Sequence, residues 1–198
     1  MSVAVVNSGG ANIASVLHAL RRLGAEPVFT ASANAIRAAD RVILPGVGAA
    51  GRAMEVLAGH GLVDTLRSLQ QPVLGICLGM QLLFDSSEED DAGLLGIIPG
   101  RLERLRETES LRVPHMGWNS LMQKKADRLT ANLNGQWFYF VHSFAAPVSE
   151  WCLSTSFHGS EFSAIVRKDN FYGAQFHPER SAGAGAELLR GFLETPTP

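Results

Sequence analysis

Cysteine is scarce in this chain of 198 residues, where only Cys77 and Cys152 occur. Two cysteines cannot staple a small secreted domain. The opening stretch from Met1 to Gly10 also lacks the basic region and long apolar run of a secretory leader, so a cytoplasmic protein is expected. An excess of positive charge is missing too: Lys and Arg number 17 against 19 Asp and Glu, a formal net charge of -2. Nucleic-acid backbones are held by clustered cations, so no nucleic-acid partner is expected. No apolar run approaches the roughly 20 residues that span a bilayer, which argues against a membrane partner. There is no His-x-x-x-His or His-Glu-x-x-His spacing, and neither a metal nor a cofactor is expected. What remains is 46% hydrophobic content with 18% charge, enough to bury one substantial core in a single domain over residues 1–198.

The apolar pattern alternates between two periods. Val3 to Val6 is a short continuous run ending at Asn7-Ser8-Gly9-Gly10, which predicts a buried strand and a turn. Ile13, Val16, Leu17, Leu20 and Leu23 then recur at helical spacing, closed by Arg21, Arg22 and Gly24. Further strands are predicted at Pro27 to Thr30, Arg41 to Leu44 and Pro72 to Ile76. Helices are predicted at Ala33 to Ala38 and, broken near Gly59-His60-Gly61, across Ala53 to Leu69. Strands alternating with helices imply an α/β architecture, an open and mostly parallel central sheet flanked by helices. A helical turn or two should run from Cys77 to Phe84, and the acidic stretch Ser86 to Asp91 reads as a surface loop. The second half is rich in β-branched and aromatic residues, and additional antiparallel strands are expected there, at Arg101 to Leu105, Trp137 to Val141, Trp151 to Ser156, Ser163 to Arg167 and Phe171 to Phe176. A final helix is expected from Ala184 to Leu193, before a frayed tail.

Chemistry concentrates at three places. Gly75-Ile76-Cys77-Leu78-Gly79 has the form Gly-x-nucleophile-x-Gly between a predicted strand and a predicted helix. Such a turn strains the nucleophile's backbone, and its glycines let strand and helix approach without a Cβ clash. The helix start directs amide N–H groups and a positive dipole end at the sulfur, favouring a thiolate. A lone cysteine is otherwise more often a small buried hydrophobe. A base is available in Phe176-His177-Pro178-Glu179: Pro178 biases His177 toward extended backbone, which would place His177 and Glu179 on the same side. Cysteine, imidazole and carboxylate together supply a nucleophile, a base and an orienter. The oxyanion formed on attack at an amide needs N–H donors. Two sources stand out, the amide of Leu78 and the Pro45-Gly46-Val47-Gly48 loop at the end of another parallel strand, which otherwise reads as an ordinary turn. Ser8-Gly9-Gly10 suits an anion but has neither dinucleotide-binding spacing nor a Walker lysine.

The combination of residues 45–48, Gly75-Ile76-Cys77-Leu78-Gly79-Met80-Gln81 and Gln175-Phe176-His177-Pro178-Glu179-Arg180-Ser181 resembles the class I glutamine amidotransferases. More narrowly, Pro114-His115-Met116-Gly117-Trp118-Asn119 and Tyr139-Phe140-Val141-His142-Ser143 resemble the glutaminase subunits of imidazole glycerol phosphate synthases, and the likeness runs essentially end to end. The resemblance implies the amidotransferase fold, with Cys77 as nucleophile forming a glutamyl thioester, His177 as base and acid, and Glu179 as orienter. It implies an oxyanion hole from Val47, Gly48 and Leu78, the loop reorienting when a partner binds its ligand. It places glutamine against Gly48, Gln81, Ser143 and Phe144. The implied partner is the (βα)8-barrel cyclase subunit of imidazole glycerol phosphate synthase, faced by Asn12, Trp118, Tyr139 and Arg180. Core packing is the other reading of Trp118 and Tyr139. Arg180 stands where many members carry Lys, and Phe144 where Tyr is frequent, so the detail of any interface ion pair stays open. The competing readings are other amidotransferase subunits, a cysteine peptidase of the same architecture and a binding protein without catalysis. The binding protein would require loss of Cys77 or His177, and the peptidase would cleave peptide bonds instead of free glutamine.

Overall fold

The computed structural model describes residues 1–10, 13–109 and 111–196. The first half builds the parallel frame: β1 (Ser2–Val6), α1 (Ile13–Arg22), β2 (Glu26–Thr30), α2 (Ala33–Ala38), β3 (Arg41–Leu44), α3 (Ala50–Gly59), α4 (Val63–Arg67), β4 (Val73–Ile76) and α5 (Leu78–Gln81). The rest is mostly strand: β5 (Phe84–Ser87), β6 (Ile98–Arg104), β7 (His115–Ser120), β8 (Met122–Gln123), β9 (Trp137–His142), β10 (Phe144–Ala145), β11 (Cys152–His158), β12 (Ser160–Lys168) and β13 (Phe171–Ala174), with α6 (Ala182–Leu193) last. The main sheet has the order β2-β1-β3-β4-β13-β12-β11-β8. Its first five strands are parallel neighbours, and β12, β11 and β8 continue it antiparallel.

Alternation along the strands divides the core. Val3, Val5, Ile43, Leu74 and Ile76 pack with α1 and α6 on one face, while Ala4, Val6, Val42, Leu44 and Val73 pack with α2, α3, α4 and α5 on the other. The expected mostly parallel sheet flanked by helices, with antiparallel strands from the C-terminal half, is therefore the observed one. No helix among the described residues is long and apolar enough to cross a membrane.

Three expectations are corrected. The segment expected to continue as helix to Phe84 and then as a surface loop is instead β5 followed by a 3-10 turn at Glu89–Asp91. Distant backbone decides this, because β6 lies alongside β5, Ile97 and Ile98 both donate to the Leu83 carbonyl, and Gly96 donates to that of Phe84. The strand β7 has no counterpart among the expected ones, since Gly117 and Asn119 are poor strand formers, and it exists through its six-residue register with β9. The strand expected to reach Phe176 leaves the parallel ladder after Ala174, where Gln175 N–H turns to the Ala164 carbonyl and His177 N–H to that of Tyr139. The loop after β1, which lacks the spacing of a phosphate cradle, braces residues 45–48: Ser8 Oγ donates to the Pro45 carbonyl at 2.7 Å.

Candidate active site

Cys77 sits at the carboxyl end of β4 with φ of 54° and ψ of -111°, the strained backbone of a nucleophile elbow. The flanking glycines are required by contact as well as by conformation. A Cβ on Gly79 would lie 1.7 Å from the Leu44 carbonyl oxygen, and one on Gly75 would lie 2.5 Å from that of Gly79. The turn is closed so tightly that β3, β4 and α5 share backbone contact. At the same sheet end the loop of residues 45–48 passes α5, where a Cβ on Gly46 would meet the Leu78 side chain, and Gly48 takes a φ of +99°. Leu78 is the first residue of α5, so its amide has no carbonyl one turn back within the helix.

His177 comes from the segment that leaves β13. Its Nδ1 lies 2.9 Å from Glu179 Oε1, and the side chains are 8% and 2% exposed. The two residues do not share an extended strand face as expected: His177 is extended, but Pro178–Arg180 forms a 3-10 turn with Pro178 at its start. The turn, which suits proline's fixed φ, folds the carboxylate back under the imidazole. A carboxylate accepts only, so His177 Nδ1 carries the proton of that bond and Nε2 is left for Cys77. Burial disfavours the imidazolium, but hydrogen bonds to Cys77 and Glu179 and the charge on both outweigh it, and the His177 pKa is pushed up to about 10. Ser181 Oγ donates to the His177 carbonyl at 2.6 Å and accepts from Tyr139 N–H at 3.0 Å, tying this turn to β9.

These groups open onto a cavity of about 310 Å³, at the small end for a ligand site. Val47, Gly48, Cys77, Leu78 and His177 line one side, and Gln81, His142, Ser143 and Phe144 another. Gln81 Nε2 donates to the Phe144 carbonyl at 2.9 Å and to Gln175 Oε1 at 3.0 Å. Gln175 in turn places its Nε2 3.9 Å from Cys77 Sγ. The structure thus brings together the expected nucleophile, base, orienter, oxyanion donors and substrate-contact residues. It also adds Glu89, Pro114, Val141 and His142 to the cavity and Gln175 beneath it. Sequence pattern alone puts Glu89 in a solvated acidic loop. Its Oε2 accepts from Ala50 N–H at 2.7 Å, at the start of α3, which turns that loop over the cavity. No spacing signal in the sequence announces this.

Of the residues expected at a partner face, Trp118, Tyr139 and Arg180 lie outside the cavity. Trp118 is 49% exposed and meets Tyr139 edge-on, with ring centroids 6.1 Å apart, so it is not a core residue. Tyr139 is partly buried and Arg180 exposed, on the turn that carries His177. Asn12 lies outside the described residues.

This arrangement of a cysteine elbow, an anion-flanked histidine and amide donors at the carboxyl end of a parallel sheet belongs to acyl-transfer chemistry. The family model for glutamine amidotransferase class-I matches residues 4–195, and the chain belongs to that family. Within it, similar curated proteins include imidazole glycerol phosphate synthase subunits HisH. That of Xylella fastidiosa (strain Temecula1) is 52% identical over 193 residues, covering 97% of this chain and 96% of the relative. That of Idiomarina loihiensis is 50% identical over 194 residues and 98% of each chain. Among solved structures, one titled a crystal structure of glutamine amidotransferase superposes with a TM-score of 0.75 at 20% identity over 97% of both chains. A putative GMP synthase protein from Thermoplasma acidophilum gives 0.71 at 17% identity, covering 98% of this chain and 92% of that one. Both structural likenesses speak to the fold alone.

Proposed function

We propose that this chain is the glutaminase of an imidazole glycerol phosphate synthase in histidine biosynthesis, and that Cys77, His177 and Glu179 carry the reaction. Cys77 gives its thiol proton to His177, and the sulfur attacks the side-chain carbonyl carbon of glutamine. The carbonyl oxygen becomes an oxyanion held by the amides of Leu78 and of the Val47-Gly48 loop. His177 passes a proton to the departing nitrogen, the C–N bond breaks, and ammonia leaves a glutamyl thioester on Cys77. His177 then takes a proton from water, whose oxygen attacks the thioester, and glutamate is released as the thiol re-forms. Glu179 keeps the imidazole in the tautomer and orientation that both steps need. Glu89 offers a negative charge to the α-ammonium of the substrate, while Gln81, Ser143 and Phe144 enclose the rest.

The observation that carries this reading is the 2.9 Å His177–Glu179 bond beside a cysteine on a positive-φ turn. The relatives are named as subunits of a synthase, which implies a partner; we take that partner to be a cyclase built as a (βα)8 barrel, which uses the ammonia to make imidazole glycerol phosphate and an aminoimidazole carboxamide ribonucleotide. Trp118, Tyr139 and Arg180, gathered outside the cavity on β7, β9 and the His177 turn, suit the face it would cover. The test is glutamate release from glutamine by the purified chain, alone and with the cyclase and its nucleotide ligand. Strong stimulation by the complex is expected. Release indifferent to the cyclase would keep the chemistry but remove the pathway, and none under either condition would remove both.

A further inference from the structure

Behind the Ser143-Phe144 wall lies a chain of polar groups whose protons can all be placed. Asn119 Nδ2 donates to the Phe157 carbonyl at 2.8 Å, and Asn119 Oδ1 accepts from Ser120 N–H at 2.9 Å, which fixes the amide's orientation. The same amide nitrogen faces His115 Nε2 at 3.3 Å, so that ring nitrogen accepts. His115 is then protonated on Nδ1, which lies 3.0 Å from His142 Nε2. His142 must accept there and carry its own proton on Nδ1, 2.9 Å from the Phe144 carbonyl. A carbonyl can only accept, so the two ends, Phe157 and Phe144, demand the same direction of donation through both rings.

We infer that His115, oriented by Asn119, is a positioning residue of the glutamine site, acting through His142 to hold the Phe144 carbonyl that also anchors Gln81. The inference rests on the proposed glutaminase reading. The Phe144 carbonyl has two lone pairs, and His142 and Gln81 both bond to it, each at 2.9 Å. Releasing one lets the peptide that walls the cavity rotate, and with it the Gln81 amide. Burial, reinforced by the neighbouring His158, holds the His115 pKa down to about 4. For His142, burial outweighs the bond to Phe144 and brings it to about 3. Both rings are therefore neutral near neutral pH, as rings that must both accept and donate have to be. His115 is clamped in place by stacking, with the Phe140 and His158 ring centroids 4.9 and 4.2 Å away. It does not itself line the cavity at Cys77. Strand alternation on β7 points His115 and Asn119 inward and Met116 and Trp118 outward, where those two are 64% and 49% exposed. One ribbon thus carries both the inner support of the glutamine wall and the outer aromatic face.

The test uses the chain assembled with its cyclase. His115→Phe keeps the stacked ring but removes both nitrogens, and His115→Asn puts an amide N–H where Nδ1 stands. His115→Phe is expected to raise KM for glutamine about tenfold, with kcat changed less than about threefold, the pattern of lost ground-state positioning. His115→Asn should recover most of the KM. An unchanged KM in His115→Phe, or a His115→Asn as impaired as His115→Phe, would overturn the inference. Independently of any variant, nitrogen NMR of the wild type should find His115 and His142 both protonated on Nδ1, and an Nε2-bound proton on either ring would overturn it. A wild type that releases no glutamate would sink the glutaminase reading instead, and the tautomers would still decide the relay.

Discussion

Two histidines border the same small cavity, both almost fully buried, and their proton affinities are driven in opposite directions. His177, 6% exposed, is pushed up to about 10, whereas His142, also 6% exposed, is brought down to about 3. Burial opposes the imidazolium in both. The difference lies in what touches the second nitrogen: a carboxylate and a cysteine sulfur flank His177, but another neutral ring and a carbonyl flank His142. Low dielectric magnifies whichever partner is present, so one wall of the cavity becomes a proton-transfer site and the other an uncharged scaffold.

Each wall can be challenged separately, beginning with the reactive one. Cys77→Ala should lower glutamine-dependent synthesis by roughly 10⁴-fold or more while leaving synthesis from added ammonia intact. Equal loss with both nitrogen sources would show that the cysteine turn supports the partner and not the chemistry. Glu179→Gln keeps the shape of the orienter but removes its charge. It should cost about 10² to 10⁴ in kcat and bring the His177 pKa down from about 10, seen as a shifted limb in the rate–pH profile. A variant with full activity would mean that Cys77 alone sustains His177.

Stability against pH offers a smaller, opposite-signed comparison. His177 binds a proton more tightly folded than unfolded, so its contribution is whole below about 6.5 and is lost as pH rises toward about 10. His142 and His115 bind protons less tightly folded, so their contributions are whole above about 6.5 and are lost as pH falls toward about 3 and about 4. Denaturant unfolding of His142→Asn between pH 6.5 and 4 should show a slope flatter than wild type by up to about 1.4 kcal/mol per pH unit. An unchanged slope would place the acid sensitivity elsewhere. The least effect is expected from His158→Ala, which removes the ring stacked over His115 from outside. It should let the His115 pKa rise slightly from about 4, read by NMR titration, and change stability by no more than about 0.5 kcal/mol.

The reactive wall is far more legible in the sequence than the scaffold. Cys77 announces itself because its turn needs Gly75 and Gly79 at fixed offsets; the contact that forbids a side chain at Gly75 is with the local backbone of Gly79, although the one at Gly79 comes from Leu44 on β3. His177 and Glu179 are close in sequence, so their pairing can be anticipated even though the turn joining them is 3-10 and not extended. Glu89, Gln175 and the His115–His142 pair carry no such local signature. Glu89 looks like any residue of an acidic loop until α3 accepts it as a cap. His115 and His142 are 27 residues apart and meet only because β7 and β9 pair in that register. The same pairing makes a strand of Gly117 and Asn119, against their propensities.

By itself, then, the sequence determined the alternation of strands and helices in the first half, the parallel frame that follows from it, and the position of the nucleophile. Short-range sterics and period set these, and both are written in consecutive residues. Tertiary structure alone decided the order and register of the antiparallel extension, the conversion of the acidic stretch into a cavity wall, and the protonation states of the buried histidines. Strand register and local dielectric depend on partners far along the chain, and a proton's place in a ring is settled only when both of its neighbours are known.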